Sequence, residues 1–213
     1  MRASPVFKRA AVAITGGIAT GKSRVAAYLT ELSGAGRLDA DEICRDLLRP
    51  GEPGWLALRD AIAPAFFLAD GQLNRPLLRH HLFADAALRA QVDSLLHPLA
   101  RVLVLRQAEE WLAAGTYSRL LVEVPLLYEA GWQEDYHRVV VVAADTETCV
   151  ARLMARDGVS REAALSAMAA QLPLAEKIRR TDLVIDNHGA WGETCRQIEA
   201  MFATLWPEIA KNS

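Results

Sequence analysis

Short runs of β-branched and other apolar residues alternate along the chain with longer segments in which apolar positions return every three or four residues. Residues 11–15 (AVAIT) form an unbroken apolar run that stops at Gly16-Gly17. Residues 119–124 (RLLVEV), 138–144 (RVVVVAA) and 182–185 (DLVI) have the same character, and residues 36–40 (GRLDA) are a weaker fifth candidate. Continuous apolar runs, as opposed to alternating ones, belong to strands covered on both faces. With helical segments between them, they predict βαβ units: a parallel sheet with helices on both sides.

The helical segments are unequal. The stretch between 40 and 119 is longer than one crossover needs, and residues 53–115 read as a helical insertion. Within it Asp70-Gly71 predicts a turn, and Asn74 predicts an N-cap with Pro76 in the first helical turn. Leu77, Leu78, His81, Leu82, Leu88, Val92, Leu95 and Leu96 then recur at helical spacing. Pro98 is expected to kink or divide that helix, because proline lacks the N–H and clashes with the preceding turn. A second helical segment, 146–180, carries Arg152, Arg156, Arg161, Lys177, Arg179 and Arg180. Residues 193–205 predict a helix packed on the sheet.

Composition narrows the function classes. The chain has 213 residues, 52% of them hydrophobic, so a sizeable core is expected and disorder is not. With 24 Lys+Arg against 26 Asp+Glu the net charge is −2, which argues against a dedicated nucleic-acid surface but leaves room for a local basic pocket. Cys44, Cys149 and Cys195 lie far apart with no CxxC pair, so zinc or redox motifs have no support and a reduced, cytoplasmic setting is expected. The longest uncharged stretch, 163–175, contains Pro173 and is too short to span a membrane. The brief apolar run near the N-terminus is likewise too short for a targeting segment.

The strongest chemical signal is GGIATGKS, residues 16–23, which fits G-x-x-x-x-G-K-[ST] through Gly16, Gly21, Lys22 and Ser23. It follows a predicted strand and opens a predicted helix, the context the motif requires. Glycines allow backbone to approach phosphate oxygens, and successive N–H groups at a helix start bind the anion. Gly17, Ile18, Ala19, Thr20, Gly21, Lys22, Ser23 and Arg24 are the expected nucleotide-binding residues. Lys22 supplies a cation for the β/γ-phosphates and the Ser23 hydroxyl a ligand for Mg²⁺. A GTPase would be expected to carry N-K-x-D, which does not occur here. A small-molecule kinase would add an acceptor-binding insertion and an Arg-rich lid, and both have candidates.

Asp39-Ala40-Asp41 falls at the expected carboxyl end of the second strand, where ligands bind in open parallel sheets. Two readings stay open on spacing alone. One carboxylate orients or deprotonates an acceptor hydroxyl while the other supports the Mg²⁺ shell, or one of them simply caps the following helix.

Taken together, ITGGIATGKS (14–23), DADEICRDLL (39–48), RPGEPGW (49–55), ADGQLNRPLLRHHLF (69–83), LLHPL (95–99), VEVPLLYEAGW (122–132), RLMARDGVS (152–160) and DLVIDNHG (182–189) resemble the dephospho-CoA kinase family of P-loop kinases. The resemblance covers most of the chain. It implies a three-layer α/β fold with a five-stranded parallel sheet, helices on both faces, a helical acceptor-binding insertion and a short helical lid. Its segments would be a nucleotide-binding core (10–52, 116–150, 181–213), an acceptor region (53–115) and a lid (151–180). The implied reaction is transfer of the ATP γ-phosphoryl to the ribose 3′-hydroxyl of dephospho-CoA, with Mg²⁺, and with no nucleic-acid or membrane partner. Carried over, Asp41 is the base or hydroxyl orienter, with Lys22 and Arg152 beside it in catalysis. Asp39, Asp41, Arg75 and His97 hold dephospho-CoA; Arg152 and Arg156 cover the phosphates; Asn187 lies near the adenine.

Lys22, Arg75, Arg152 and Arg156 are accordingly expected to converge on one cleft. The chain departs from the family pattern at Ala19, Asn74, Glu123, Cys149 and Thr181. Ala19 replaces a common glycine, so it is expected to avoid positive φ. The rival readings are another small-molecule kinase on this fold, acting on a nucleoside, nucleotide or sugar acid, and a nucleotide-binding regulatory protein.

Overall fold

The computed structural model describes residues 2–181 and 183–207. Asp182, the first residue of the predicted 182–185 strand, lies outside them, as does the end of the 181–213 segment. The five predicted strands are all present: β1 (Ala11–Gly16), β2 (Gly36–Asp39), β3 (Leu120–Glu123), β4 (Arg138–Ala143) and β5 (Leu183–Asp186). They form one sheet in the order β2-β3-β1-β4-β5, with every neighbouring pair parallel. The helices are α1 (Pro5–Ala10), α2 (Lys22–Ser33), α3 (Ala40–Leu47), α4 (Pro53–Ala61), α5 (Arg75–Ala84), α6 (Ala86–Ala113), α7 (Thr146–Asp157), α8 (Arg161–Ala169), α9 (Leu174–Ile178) and α10 (Trp191–Leu205).

The chain divides into two compact units: residues 1–39 with 107–213, and Ala40–Arg106. In the first, Val12, Ile14, Leu121, Val140, Val142 and Ile185 pack against Val25 and Leu29 of α2 and Ile198 and Leu205 of α10. The alternate strand residues Ala11, Ala13, Leu120, Val122 and Val141 are fully buried too. Both faces are covered, as the unbroken apolar runs require. Residues 193–205 fall within α10, and the Trp206 indole just after it donates to the Ala10 carbonyl at the end of α1 at 2.8 Å.

The second unit has its own core of Leu58, Ile62, Phe66, Leu73, Leu78, Val92 and Leu96, with Cys44 and Leu48 packed against it. The start of α5 forms as its sequence dictates. The Asn74 side chain accepts from the Leu77 N–H at 3.2 Å, and Pro76 sits in the first turn, where its missing N–H costs nothing. The turn before it has Gly71 at φ 81°, while the Asp70 carboxylate accepts from the Gln72 N–H at 3.0 Å.

Two expectations are narrowed. Pro98 does not divide the helix: α6 runs from Ala86 through Pro98 to Ala113. Proline withholds only the bond to the Ser94 carbonyl, and buried apolar residues on both sides of it, Val92 and Leu96 before and Ala100 and Val104 after, keep the helix in one piece. The 146–180 segment is three helices. Gly158 ends α7 in the left-handed conformation, Ser160 caps α8 through the Ala163 N–H, and Pro173 precedes α9.

Candidate active site at the phosphate loop

β1 lies between β3 and β4, so the chain leaves its carboxyl end where the sheet's connections diverge. Residues 17–21 turn there into α2. Gly21 caps the helix at φ 90°, a conformation with no room for a side chain: a Cβ would lie 2.2 Å from the Asn187 Nδ2. A Cβ on Gly16 would similarly meet the Val142 carbonyl oxygen at 2.2 Å. Glycine at these two positions is therefore a packing requirement as well as a means of exposing backbone N–H groups.

The loop is held by its own polar groups. The Gly17 carbonyl accepts from the Lys22 ammonium at 2.7 Å and from the Thr20 hydroxyl at 3.0 Å. The Thr20 carbonyl accepts from the Asn187 amide at 2.8 Å and from the Arg152 guanidinium at 3.3 Å. Arg152 also donates to the Asn187 carbonyl at 2.8 Å. Asn187 is 4% exposed, and its amide oxygen takes the Thr194 hydroxyl at 3.1 Å. Asn187 thus links β5, α10, α7 and the phosphate loop. Thr194 is a member of this network that motif reading missed, since a threonine inside a helix carries no signature.

Ala19 is corrected by the structure. It has φ 61°, making it the one non-glycine residue at positive φ among the described residues. The loop's curvature demands the left-handed region even with a methyl group there, at a cost that glycine would not incur.

Beside the loop, Glu123 ends β3 in register with Asp39 at the end of β2. Glu123 is 2% exposed. It accepts from the Arg37 Nε at 2.6 Å and hydrogen-bonds the Ser23 hydroxyl. Burial raises its pKa above the usual carboxylate value, opposed by the Arg37 charge and by the two hydrogen bonds. Among the described residues no group of three His, Cys, Asp or Glu side chains could hold a metal ion. The donors at this place are a hydroxyl with a carboxylate bonded to it. That set fits Mg²⁺, which keeps waters and phosphate oxygens in its shell and takes only one or two protein ligands.

The other predicted residues are placed as follows. Arg24 stacks its guanidinium 3.9 Å from the Trp191 ring centroid. Arg156 is paired with neighbouring Asp157 at 2.7 Å and 3.0 Å, on the exposed side of α7. Lys22 and Arg152 therefore meet on the loop, whereas Arg156 turns to its neighbour. In the helical unit, Asp41 lies in the first turn of α3 and Arg75 donates to the Arg45 carbonyl at 2.9 Å. His97 faces Asp93 one turn earlier on α6 at 3.6 Å. Cys44 sits among Asp41, Asp93 and Arg75. Burial pushes its thiol up to about 11, with the two carboxylates adding to the rise and Arg75 opposing it.

A five-stranded parallel sheet with a glycine-rich strand-to-helix loop, a lysine and a serine at its end defines a P-loop kinase fold. Solved structures agree: a protein of Thermus thermophilus, TT1252, is 32% identical with TM-score 0.72 and covers 92% of this chain and 97% of its own. The shikimate kinase of Acinetobacter baumannii, 15% identical with TM-score 0.51 over 95% of this chain and 96% of its own, shares the fold alone. The sequence also matches the dephospho-CoA kinase family over residues 10–193. It is 41% identical to the dephospho-CoA kinase of Symbiobacterium thermophilum, over 89% of this chain and 78% of that one. With the enzyme of Geobacillus kaustophilus the identity is 36%, over 94% and 98%. The chain belongs to the dephospho-CoA kinase family.

Proposed function

We infer that this chain transfers the γ-phosphoryl group of ATP to the ribose 3′-hydroxyl of dephospho-CoA, giving CoA in the last step of coenzyme A biosynthesis. The observation that carries this reading is the family match over residues 10–193, in a chain whose phosphate loop keeps Lys22 and Ser23.

Phosphoryl transfer asks for alignment and charge neutralisation more than for covalent chemistry. The loop N–H groups and the start of α2 receive the phosphates. Lys22 leaves the Gly17 carbonyl to meet the β/γ-phosphates, and Arg152 is drawn from the Thr20 carbonyl in the same way. Ser23, with Glu123 and Asp39 behind it, would hold Mg²⁺, which supplies charge neutralisation at the transferring group. Asp41 orients the acceptor hydroxyl and takes its proton. Arg75 and His97 hold dephospho-CoA from the 53–115 region. The 151–180 segment acts as the lid, bringing Arg156 over the phosphates and excluding water. Asn187 shapes the wall beside the adenine through its backbone, because its side chain is committed to Thr20 and Thr194. The work is placed in the cytoplasm. Among the described residues no helix is long and apolar enough to cross a membrane.

Two assays test this. With ATP and a panel of acceptors, dephospho-CoA should be phosphorylated and nucleosides, nucleotides and sugar acids should not. Asp41→Asn should lower turnover by about 10²-fold, a general base's contribution, while leaving ATP affinity within a few-fold. Normal turnover in that variant would remove Asp41 from the role.

A further inference from the structure

Lys177, in α9, one of the cations of the 146–180 segment, is a fully buried lysine. Taking an ammonium out of water costs several kcal/mol unless every N–H is matched and the charge is paired. Here all three donors are matched. Lys177 Nζ lies 2.9 Å from the Glu129 carboxylate, 2.9 Å from the Pro125 carbonyl and 3.4 Å from the Gly16 carbonyl. An ammonium has three donors and no more.

Two of these acceptors are backbone carbonyls where strands give way to loops. Gly16 ends β1 and opens the phosphate loop; Pro125 follows β3 and also accepts the Thr15 hydroxyl at 3.2 Å. In a trans peptide the carbonyl and the next N–H point in opposite directions. Holding the Gly16 carbonyl therefore sets the direction of the Gly17 N–H, the first of the phosphate-binding loop. The same short stretch approaches the loop a second time, since a Cβ on Gly17 would meet the Leu174 side chain at 4.0 Å. Glu129 in turn accepts the Leu172 N–H at 2.9 Å, which ties the residues leading into α9 to the chain beyond β3.

For stability alone, an apolar side chain of similar volume would serve as well as a buried ion pair. A charge placed on the root of the phosphate loop points to another use. We propose that Lys177 is a positioning residue for phosphoryl transfer: it fixes the Gly16–Gly17 peptide and fastens α9, the end of the 151–180 segment, to the floor of the nucleotide site. This deepens the kinase reading and rests on the loop binding a nucleotide.

The test uses the full chain as Lys177→Met and as the double variant Lys177→Met, Glu129→Gln. The second removes the carboxylate charge that the first leaves buried, while keeping an acceptor for the Leu172 N–H. A misplaced loop is expected to lower kcat by about 10- to 100-fold, the scale of a small misalignment at a reacting group. It should also weaken ADP binding, read by calorimetry, by about tenfold, with the KM for dephospho-CoA within about threefold of wild type. The double variant should recover thermal stability and keep both defects. If its kcat and ADP affinity return to within about threefold of wild type together with its melting temperature, the pair is only structural and the proposal fails. Unchanged kinetics and ADP affinity in the single variant defeat it equally. The ADP arm decides even if the wild-type chain does not act on dephospho-CoA, an outcome that would defeat the kinase reading instead.

Discussion

At the scale of single residues, the phosphate loop is built from conformations that side chains resist. Ala19 is the clearest case, at φ 61°. The left-handed region costs an L-residue about 1–2 kcal/mol, and glycine gives back about 0.4–1 kcal/mol through its freer unfolded state. Ala19→Gly should therefore stabilise the chain by about 0.5–1 kcal/mol, a melting temperature higher by about 1–4 °C. A lower melting temperature would mean that the methyl group makes contacts worth more than the strain. Next to the same loop, His188 Nδ1 lies 2.6 Å from the Asp186 carboxylate, which raises its pKa above 6.5. A raised folded pKa means that this pair favours the fold below pH 6.5 and that the contribution is lost as the pH rises through the raised value. Proton NMR should find His188 titrating above 6.5, and Asp186→Asn should lower it.

At the scale of elements, the strands were the most legible part. Unbroken apolar runs such as VVVV in β4 can only be satisfied by burial on both faces, and Val140, Val141 and Val142 are fully buried. The cap of α5 was equally legible. Replacing Asn74 by Ala removes an acceptor from the Leu77 N–H and should cost about 1 kcal/mol, measured by chemical denaturation. At Pro98 local propensity leaves a kink or a break open, and the helix is not broken, because buried apolar residues lie on both sides of it. Ala19 was misjudged because its conformation is imposed by the loop, which no single residue announces. Lys177 was invisible as a charge but not as a pattern. Leu174, Lys177 and Ile178 recur at i, i+3 and i+4, which puts the lysine on the inward face of α9. The Arg152–Thr20–Asn187 contacts join residues far apart in sequence, and only the resemblance suggested that they would meet.

At the scale of the whole molecule, a net charge of −2 conceals local order. In the unit that carries the sheet, Lys22, Arg152 and Lys177 all donate to carbonyls of residues 16–20. Cationic groups are thus concentrated where an anionic nucleotide would enter. Asp41, Arg75 and His97 belong to the second unit, with its separate apolar core. Under the proposed function ATP use should depend on the acceptor, because water is to be kept from the transferring group. The direct measurement is ATP consumption by the purified chain with Mg²⁺, with and without dephospho-CoA, with the product's phosphate located by mass spectrometry and NMR. The account predicts consumption that depends on dephospho-CoA, one ADP formed per CoA, and the new phosphate on the ribose 3′-oxygen. ATP hydrolysis at the same rate without dephospho-CoA, or a phosphate at another position, would contradict it.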